Sequence, residues 1–266
     1  MKQLIPFRKK RPVVSVVHLN GTISAAGHTG GLNDASTARQ IEKAFSKGKP
    51  RAVALVINSP GGSPVQSSLI ASRIRRLAEE KDIPVLAFVE DVAASGGYWL
   101  ATAADEIWVD RSSIVGSIGV ISAQFGLQDF IARHGIERRL YTAGKSKSML
   151  DPFLPQKPAD VKRLSTVLGQ IHQAFIDQVR TRRAGRLSDD KDLFTGEFWV
   201  GAAGVERGLA DGIGHLVPKL KERFGDKVKL VPYRRKRPLL GRIGAQIVRE
   251  TLHGLEETAQ FARFGV

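Results

Sequence analysis

The sequence predicts an α/β domain with a largely parallel sheet. Short β-branched apolar runs recur at 13–19 (VVSVVHL), 52–57 (AVALVI) and 83–89 (IPVLAFV), and segments of helical spacing separate them. Glycine-rich loops follow these runs, where parallel α/β domains hold their chemistry. The first run reads as a strand buried on both faces. Asn33 and Asp34 can cap a helix reaching about residue 47, with Ile41, Ala44 and Phe45 at helical spacing. The second run ends in the loop 58–64 (NSPGGSP), and a helix is expected over 65–81. After the third run the pattern predicts a turn at 91–97, a helix over 98–104, a short strand at 107–109, a loop at 116–119 and a helix over 127–134. A strand is expected near 139–142. A polar loop over 143–158 then leads to a long helix over 159–183, with Leu164, Val167, Leu168, Ile171, Phe175 and Val179 on one stripe.

A chain of 266 residues can bury a substantial core within one domain. We expect a basic segment at 1–12, the main domain at 13–217 and a basic, partly helical extension at 218–266. The formal net charge is +15, and the basic residues concentrate at the two ends. Lys2, Arg8, Lys9, Lys10 and Arg11 lie at one, and the run from Arg234 to Arg237 at the other. Without zinc-finger spacing or an RNA-binding aromatic signature, these clusters fit an anionic membrane surface better than nucleic acid. They equally fit a solubilising role. No apolar stretch approaches the roughly 18–20 residues that cross a bilayer, and the opening residues lack an apolar signal core. The expected location is cytoplasmic, with peripheral contact at the inner membrane. Near the end, Leu240, Ile243, Ile247 and Leu255 keep helical spacing, with Phe261 and Phe264 beyond. That face suits a membrane, a neighbouring subunit or the chain's own domain.

Cysteine is absent, which excludes disulfides, thiolate metal sites and a cysteine nucleophile. No cofactor or metal is expected. A hydroxyl nucleophile is the chemistry left open. Ser95 lies in 93–97 (AASGG), where an apolar strand turns into a helix. Small neighbours there admit a substrate backbone, and glycines permit unusual turn angles. A serine at such a turn also serves commonly as a helix cap. The preceding strand ends in 59–62 (SPGG), so parallel pairing sets its amides beside the Ser95 turn, with Gly62 and Gly96 as candidate oxyanion donors. A plain tight turn has the same composition.

The base remains to be found. His18, His28, His134, His172, His215 and His253 lie in no recognisable triad context. Lysine can replace histidine, and 142–148 (TAGKSKS) offers Lys145 and Lys147. A lysine base requires a pKa brought from about 10.4 to about 7–8, a bias of about 4 kcal/mol that burial supplies.

Taken together and in order, 58–62 (NSPGG), 94–99 (ASGGYW), 102–105 (TAAD), 116–120 (GSIGV), 144–147 (GKSK) with 151–153 (DPF), and 198–212 (FWVGAAGVERGLADG) resemble the signal peptide peptidase A family, the S49 serine peptidases. The resemblance covers about 13–216. It implies a Clp/crotonase-type fold built from spiral ββα units and a serine–lysine dyad. By the same resemblance the nucleophile falls on Ser95, the general base on Lys147, the oxyanion glycines on Gly62 and Gly96, and a serine that orients the lysine on Ser117. Lys145 is then a neighbouring charge or a solvated residue. Peptide substrates, such as remnant signal peptides, and a ring-shaped homo-oligomer are implied as well. Many members carry an N-terminal membrane helix, which is not seen in this sequence. An inactive, membrane-associated scaffold of the same fold is the alternative.

Overall fold

The computed structural model describes residues 11–25, 31–144, 146–234 and 260–265. Lys145, most of both basic ends, and Leu240, Ile243, Ile247 and Leu255 lie outside these residues.

Three parallel strands form the centre: β1 (Val13–Asn20), β2 (Ala52–Ser59) and β3 (Val85–Ala94). Alternation along β3 sends Val85, Ala87, Val89 and Ala93 to one face of the sheet, and Leu86, Phe88, Val92 and Ala94 to the other. Both faces are covered, which is why these segments read as continuous apolar runs. The first face receives α1 (Asp34–Ser46), α2 (Pro64–Lys81), α3 (Gly96–Ala101) and the end of α5 (Pro158–Arg182), through residues such as Phe45, Ile74, Tyr98 and Phe175. The second face receives Leu220 of α7 (Leu216–Phe224) over its first half.

Local signals fix the helix ends. Asn33 and Ser36 form a reciprocal capping box at α1, with the Asn33 side chain accepting from the Ser36 amide at 2.8 Å. The neighbouring Asp34 carboxylate takes a two-pronged ion pair from Arg73 of α2, at 2.7 Å to each oxygen, and this pairing raises the Arg73 pKa. α2 opens with Ser63 as cap and Pro64 in its first turn, the position where a missing N–H costs nothing.

β3 is longer than the apolar run suggests, and it divides the sheet. Its first half pairs with β4 (Glu106–Val109) and its second half with β5 (Ile114–Gly116). The divide falls at Glu90 and Asp91, which are exposed, and the β2–β3 register shifts there between Ile57 and Ser59. β6 (Phe198–Val200) adds antiparallel to β5, β7 (Gly212–Ile213) pairs with β4, and β8 (Lys229–Tyr233) closes the other side of β1. The short helix α6 (Gly201–Glu206) links β6 to the turn before β7.

The expected strand near 139–142 is not formed. α4 (Gln128–Arg133) is present, but the chain from 120 to 157 leaves the sheet and finds no strand edge to pair with, so its side chains stay largely exposed. The long helix is present, yet only Phe175 and Val179 of its predicted stripe are fully buried. The rest of the stripe extends beyond the core formed by the described residues. Phe261 and Phe264 pack against the chain's own domain.

One buried polar network ties the last third of the fold to its centre. Arg183, at 1% exposure, donates to Asp211 at 2.8 and 3.1 Å and to the Gly208 carbonyl at 2.9 Å. Asp211 also accepts from the Ile107 amide at the start of β4, and the buried Tyr98 hydroxyl donates to the Leu209 carbonyl. Burial raises the Tyr98 pKa, so the phenol stays protonated and serves as a donor. Arg183→Met removes the guanidinium and leaves a carboxylate poorly compensated. We expect a loss of about 3 kcal/mol of stability by urea denaturation; an unchanged midpoint would show that the network holds nothing.

Candidate active site

Where β3 ends, Ser95 adopts φ 51° and ψ −122°, a left-handed conformation that a non-glycine residue occupies only under constraint. The constraint is visible. The Ser95 N–H donates to the Gly116 carbonyl of β5 at 2.8 Å, and α3 begins at the next residue. The Ser95 hydroxyl makes no capping hydrogen bond to α3, so the common role of a serine at a helix start does not apply here.

The 58–64 loop lies directly against this turn. The Ile23 N–H donates to the Gly61 carbonyl at 2.7 Å and the Ser63 N–H to the Ile23 carbonyl at 2.8 Å, which staples the loop to the chain leaving β1. Gly61, at φ 105°, has no room for a side chain: a Cβ there would stand 2.7 Å from the Gly96 nitrogen and 2.9 Å from Ser95 Cβ. A Cβ on Gly96 would meet Ser67 Oγ and come within 3.3 Å of the Gly62 nitrogen. The Gly62 and Gly96 amides are thus neighbours beside the serine. Sequence reading assigned nothing to Gly61. Its signal is the doubled glycine, which lets two loops touch.

Ser95, Gly62, Gly96 and Ser117 border one cavity of about 460 Å³. Its apolar wall comes from Trp99 of α3, Ile171 and Phe175 of α5, and Val120 and Ile121 beyond β5. The Trp99 and Phe175 rings stack at 4.9 Å. Ser117 is itself left-handed at φ 51°, almost buried, and held by its amide on the Glu197 carbonyl at 2.7 Å. His172 hydrogen-bonds the Ile118 carbonyl at 2.9 Å and pins the same loop to α5. That role was not legible in the sequence, because it needs a partner 54 residues away.

Lys147 is not on this cavity. It sits exposed in a turn, its amide donating to the Gly144 carbonyl at 3.2 Å. The surrounding arm is held internally by Asp151, which accepts from Arg138 at 2.9 Å and from the Phe153 amide at 2.9 Å. These bonds, the Arg138 contact foremost, draw its pKa below the usual carboxylate range. Among the described residues no histidine lines the cavity. His18 lies within β1 with its pKa lowered by burial, His134 is exposed beside Phe130, and His215 pairs with Asp110 at 2.7 Å on the surface.

Residues 78–224, more than half of the chain, match the model of peptidase family S49. The chain belongs to that family. Relatives include the chloroplastic serine protease SPPA of Arabidopsis thaliana, 32% identical over 77% of this chain and 31% of that protein. Protease SohB of Haemophilus influenzae is 29% identical over 90% of this chain and 65% of that one. A Na(+)/H(+) antiporter NhaA of Brucella melitensis is 49% identical over the whole of this chain but only 39% of its own length. The chain therefore spans about two-fifths of those antiporter sequences. Among solved structures, a lysine-to-alanine mutant of a membrane-bound stomatin-specific protease with a substrate peptide superposes with a TM-score of 0.52 at 14% identity, covering 92% of this chain and 99% of that one. The S49 chain shares that protease's Clp/crotonase-like fold: mixed α/β with a mostly parallel sheet.

The close contact at Gly61 gives a direct test. Gly61→Ala forces a Cβ between Ser95 and Gly96, and we expect about 1–3 kcal/mol of destabilisation together with slower labelling of Ser95 by a fluorophosphonate. Wild-type stability and labelling would refute the contact.

Proposed function

We propose that the chain is a serine endopeptidase that cleaves short hydrophobic peptides, such as remnant signal peptides, with Ser95 as nucleophile and Lys147 as general base. The observation that carries this reading is the Ser95 hydroxyl. It is left uncapped in a constrained turn, beside two glycine amides and on a cavity walled by aromatic and aliphatic side chains. Membership of a peptidase family supports the reaction class.

The chemistry follows from these groups. As Ser95 Oγ bonds to the peptide carbonyl carbon, its proton passes to a neutral Lys147 Nζ, and the carbonyl oxygen becomes an oxyanion facing the Gly62 and Gly96 N–H groups. Collapse breaks the C–N bond. The Lys147 ammonium returns the proton to the leaving amine, and an acyl-enzyme remains on Ser95. Water then repeats the sequence in reverse, giving Nζ a proton as it attacks the ester and restoring the Ser95 hydroxyl. Ser117, on the same cavity, is the residue proposed to orient the lysine.

Lys147 must travel with its arm to serve as base. The arm and the neighbouring stretch expose Ile121, Phe125, Phe130, Ile136 and Tyr141, with Phe125 at 85% and Tyr141 at 90% exposure. So many large apolar groups in one segment favour a partner surface. We propose that a homo-oligomer covers this arm and half of the α5 stripe, and that burial of the arm also desolvates the lysine. A ring is the assembly proposed. Contact of the basic ends with an anionic membrane, from the cytoplasmic side, is proposed as well. The membrane-bound name of the structural neighbour fits that reading, and no helix among the described residues is long and apolar enough to cross a membrane.

Ser95→Ala and Lys147→Ala are each expected to lower turnover of a hydrophobic peptide by at least about 10³-fold without changing the melting temperature. Substantial turnover by either variant would refute the dyad. Failure of Ser95 to react with a fluorophosphonate in the intact protein would favour an inactive scaffold instead.

A further inference from the structure

Backbone hydrogen bonds grip Ser117 on both sides. Its N–H donates to the Glu197 carbonyl at 2.7 Å, and its carbonyl accepts from the Gly119 amide at 2.9 Å, which closes a tight turn around Ile118. One residue earlier, the Gly116 carbonyl accepts from the Ser95 amide at 2.8 Å. These bonds run from backbone to backbone, so no side-chain substitution removes them directly. The Ile118 carbonyl is held differently. It accepts from a side chain, Nε2 of His172 on α5, at 2.9 Å. A carbonyl oxygen only accepts, so the hydrogen sits on Nε2.

The conformation at stake is a costly one. Ser117 keeps φ at 51°, and Gly116 before it stands at 108°; a serine holds such an angle only where its surroundings over-determine it. β5 supplies sheet pairing as far as Gly116, and from residue 120 the chain leaves the sheet. Ile118 fastens the loop between those two points. Its side chain is fully buried in the main core, and its carbonyl is tied to α5. Ile171 and Phe175, beside His172 and one turn further along α5, wall the cavity, while His172 itself does not line it. The helix that shapes the cavity therefore also sets how far the Ser117 loop stands from it.

We propose that His172 is a positioning residue for the Ser95 reaction: by holding the Ile118 carbonyl it keeps Ser117 in its left-handed conformation, at the place from which Ser117 orients the base. The inference rests on the peptidase reading above. His172 acts through Ser117 and not on substrate. Its loss is therefore felt in kcat, whereas the walls that bind the peptide, and with them KM, stay as they are.

The test uses the full chain, a Ser95→Ala control and a fluorogenic hydrophobic peptide. His172→Leu removes the donor, His172→Asn keeps a polar side chain too short to reach the carbonyl, and His172→Gln sets an amide nitrogen near the place of Nε2. The Leu and Asn variants should each lose about tenfold in kcat, the scale of one hydrogen bond to a buried carbonyl, with KM within about twofold. The Gln variant should recover most of that loss. Equal kcat in the Gln and Asn variants overturns the proposal, and so does a raised KM with kcat unchanged, which would make the bond part of the cavity's shape. If His172→Leu does not fold, the Gln and Asn pair carries the comparison. A second measurement repeats His172→Asn in a Ser117→Ala background. There it should cost less than about twofold, because a residue that acts through Ser117 has nothing left to act on. An undiminished cost in that background overturns the proposal. If the wild type shows no hydrolysis that depends on Ser95, the peptidase reading itself fails. Hydrolysis that depends on Ser95 but ignores His172→Asn defeats only the positioning role.

Discussion

Everything at the candidate site depends on how β3 ends. The strand is held along its first half by β4 and along its second by β5, so its last residues follow a different neighbour from its first. The hydrogen bond from the Ser95 amide to the Gly116 carbonyl is the last rung of that second pairing. It fixes the residue at a backbone conformation serine does not choose for itself. A side chain presented from such a turn has its direction set by the sheet, not by its own rotamer preference alone. The glycines around it have the complementary task of keeping every Cβ out of the way.

The remainder of the chain keeps this turn in place from a distance. α5 presses Ile171 and Phe175 onto the cavity, and His172 holds the loop that presents Ser117. Just past its end, Arg183 fastens to Asp211 and the Gly208 carbonyl, while Tyr98 of α3 donates to Leu209. The helix that follows Ser95 and the helix that walls the cavity are therefore tied to one loop near the end of the domain. A buried arginine with its hydrogen-bonding capacity largely used fixes geometry more surely than it adds stability. That suits a role in holding two elements at a set distance.

The arm over 120–157 obeys different physics. It carries large apolar side chains but pairs with no strand, and among the described residues these side chains stay largely exposed. Its internal order comes from local contacts such as Arg138 with Asp151 and the Leu127 amide with the Pro152 carbonyl at 2.7 Å. The segment thus takes its shape from local contacts and not from the sheet. Lys147 shares that condition, which separates it from Ser95, Gly62, Gly96 and Ser117.

The sequence by itself determined the alternation of strands and helices, since β-branched runs and capping residues such as Asn33 and Ser63 act over a few neighbours. It also determined the kind of residue at the Ser95 turn, because only small side chains are compatible with two touching loops. Only the tertiary structure decided that β3 continues past Glu90 and Asp91 and divides the sheet. Two exposed charges inside a strand look like its end unless the pairing partners are known. It likewise decided that residues 139–142 form no strand, that His172 binds a carbonyl far away in sequence, and that Phe264 returns to cover Ala94. Each of these depends on a hydrogen-bond partner or an apolar patch supplied by a distant part of the chain, and local periodicity carries no information about where that partner lies.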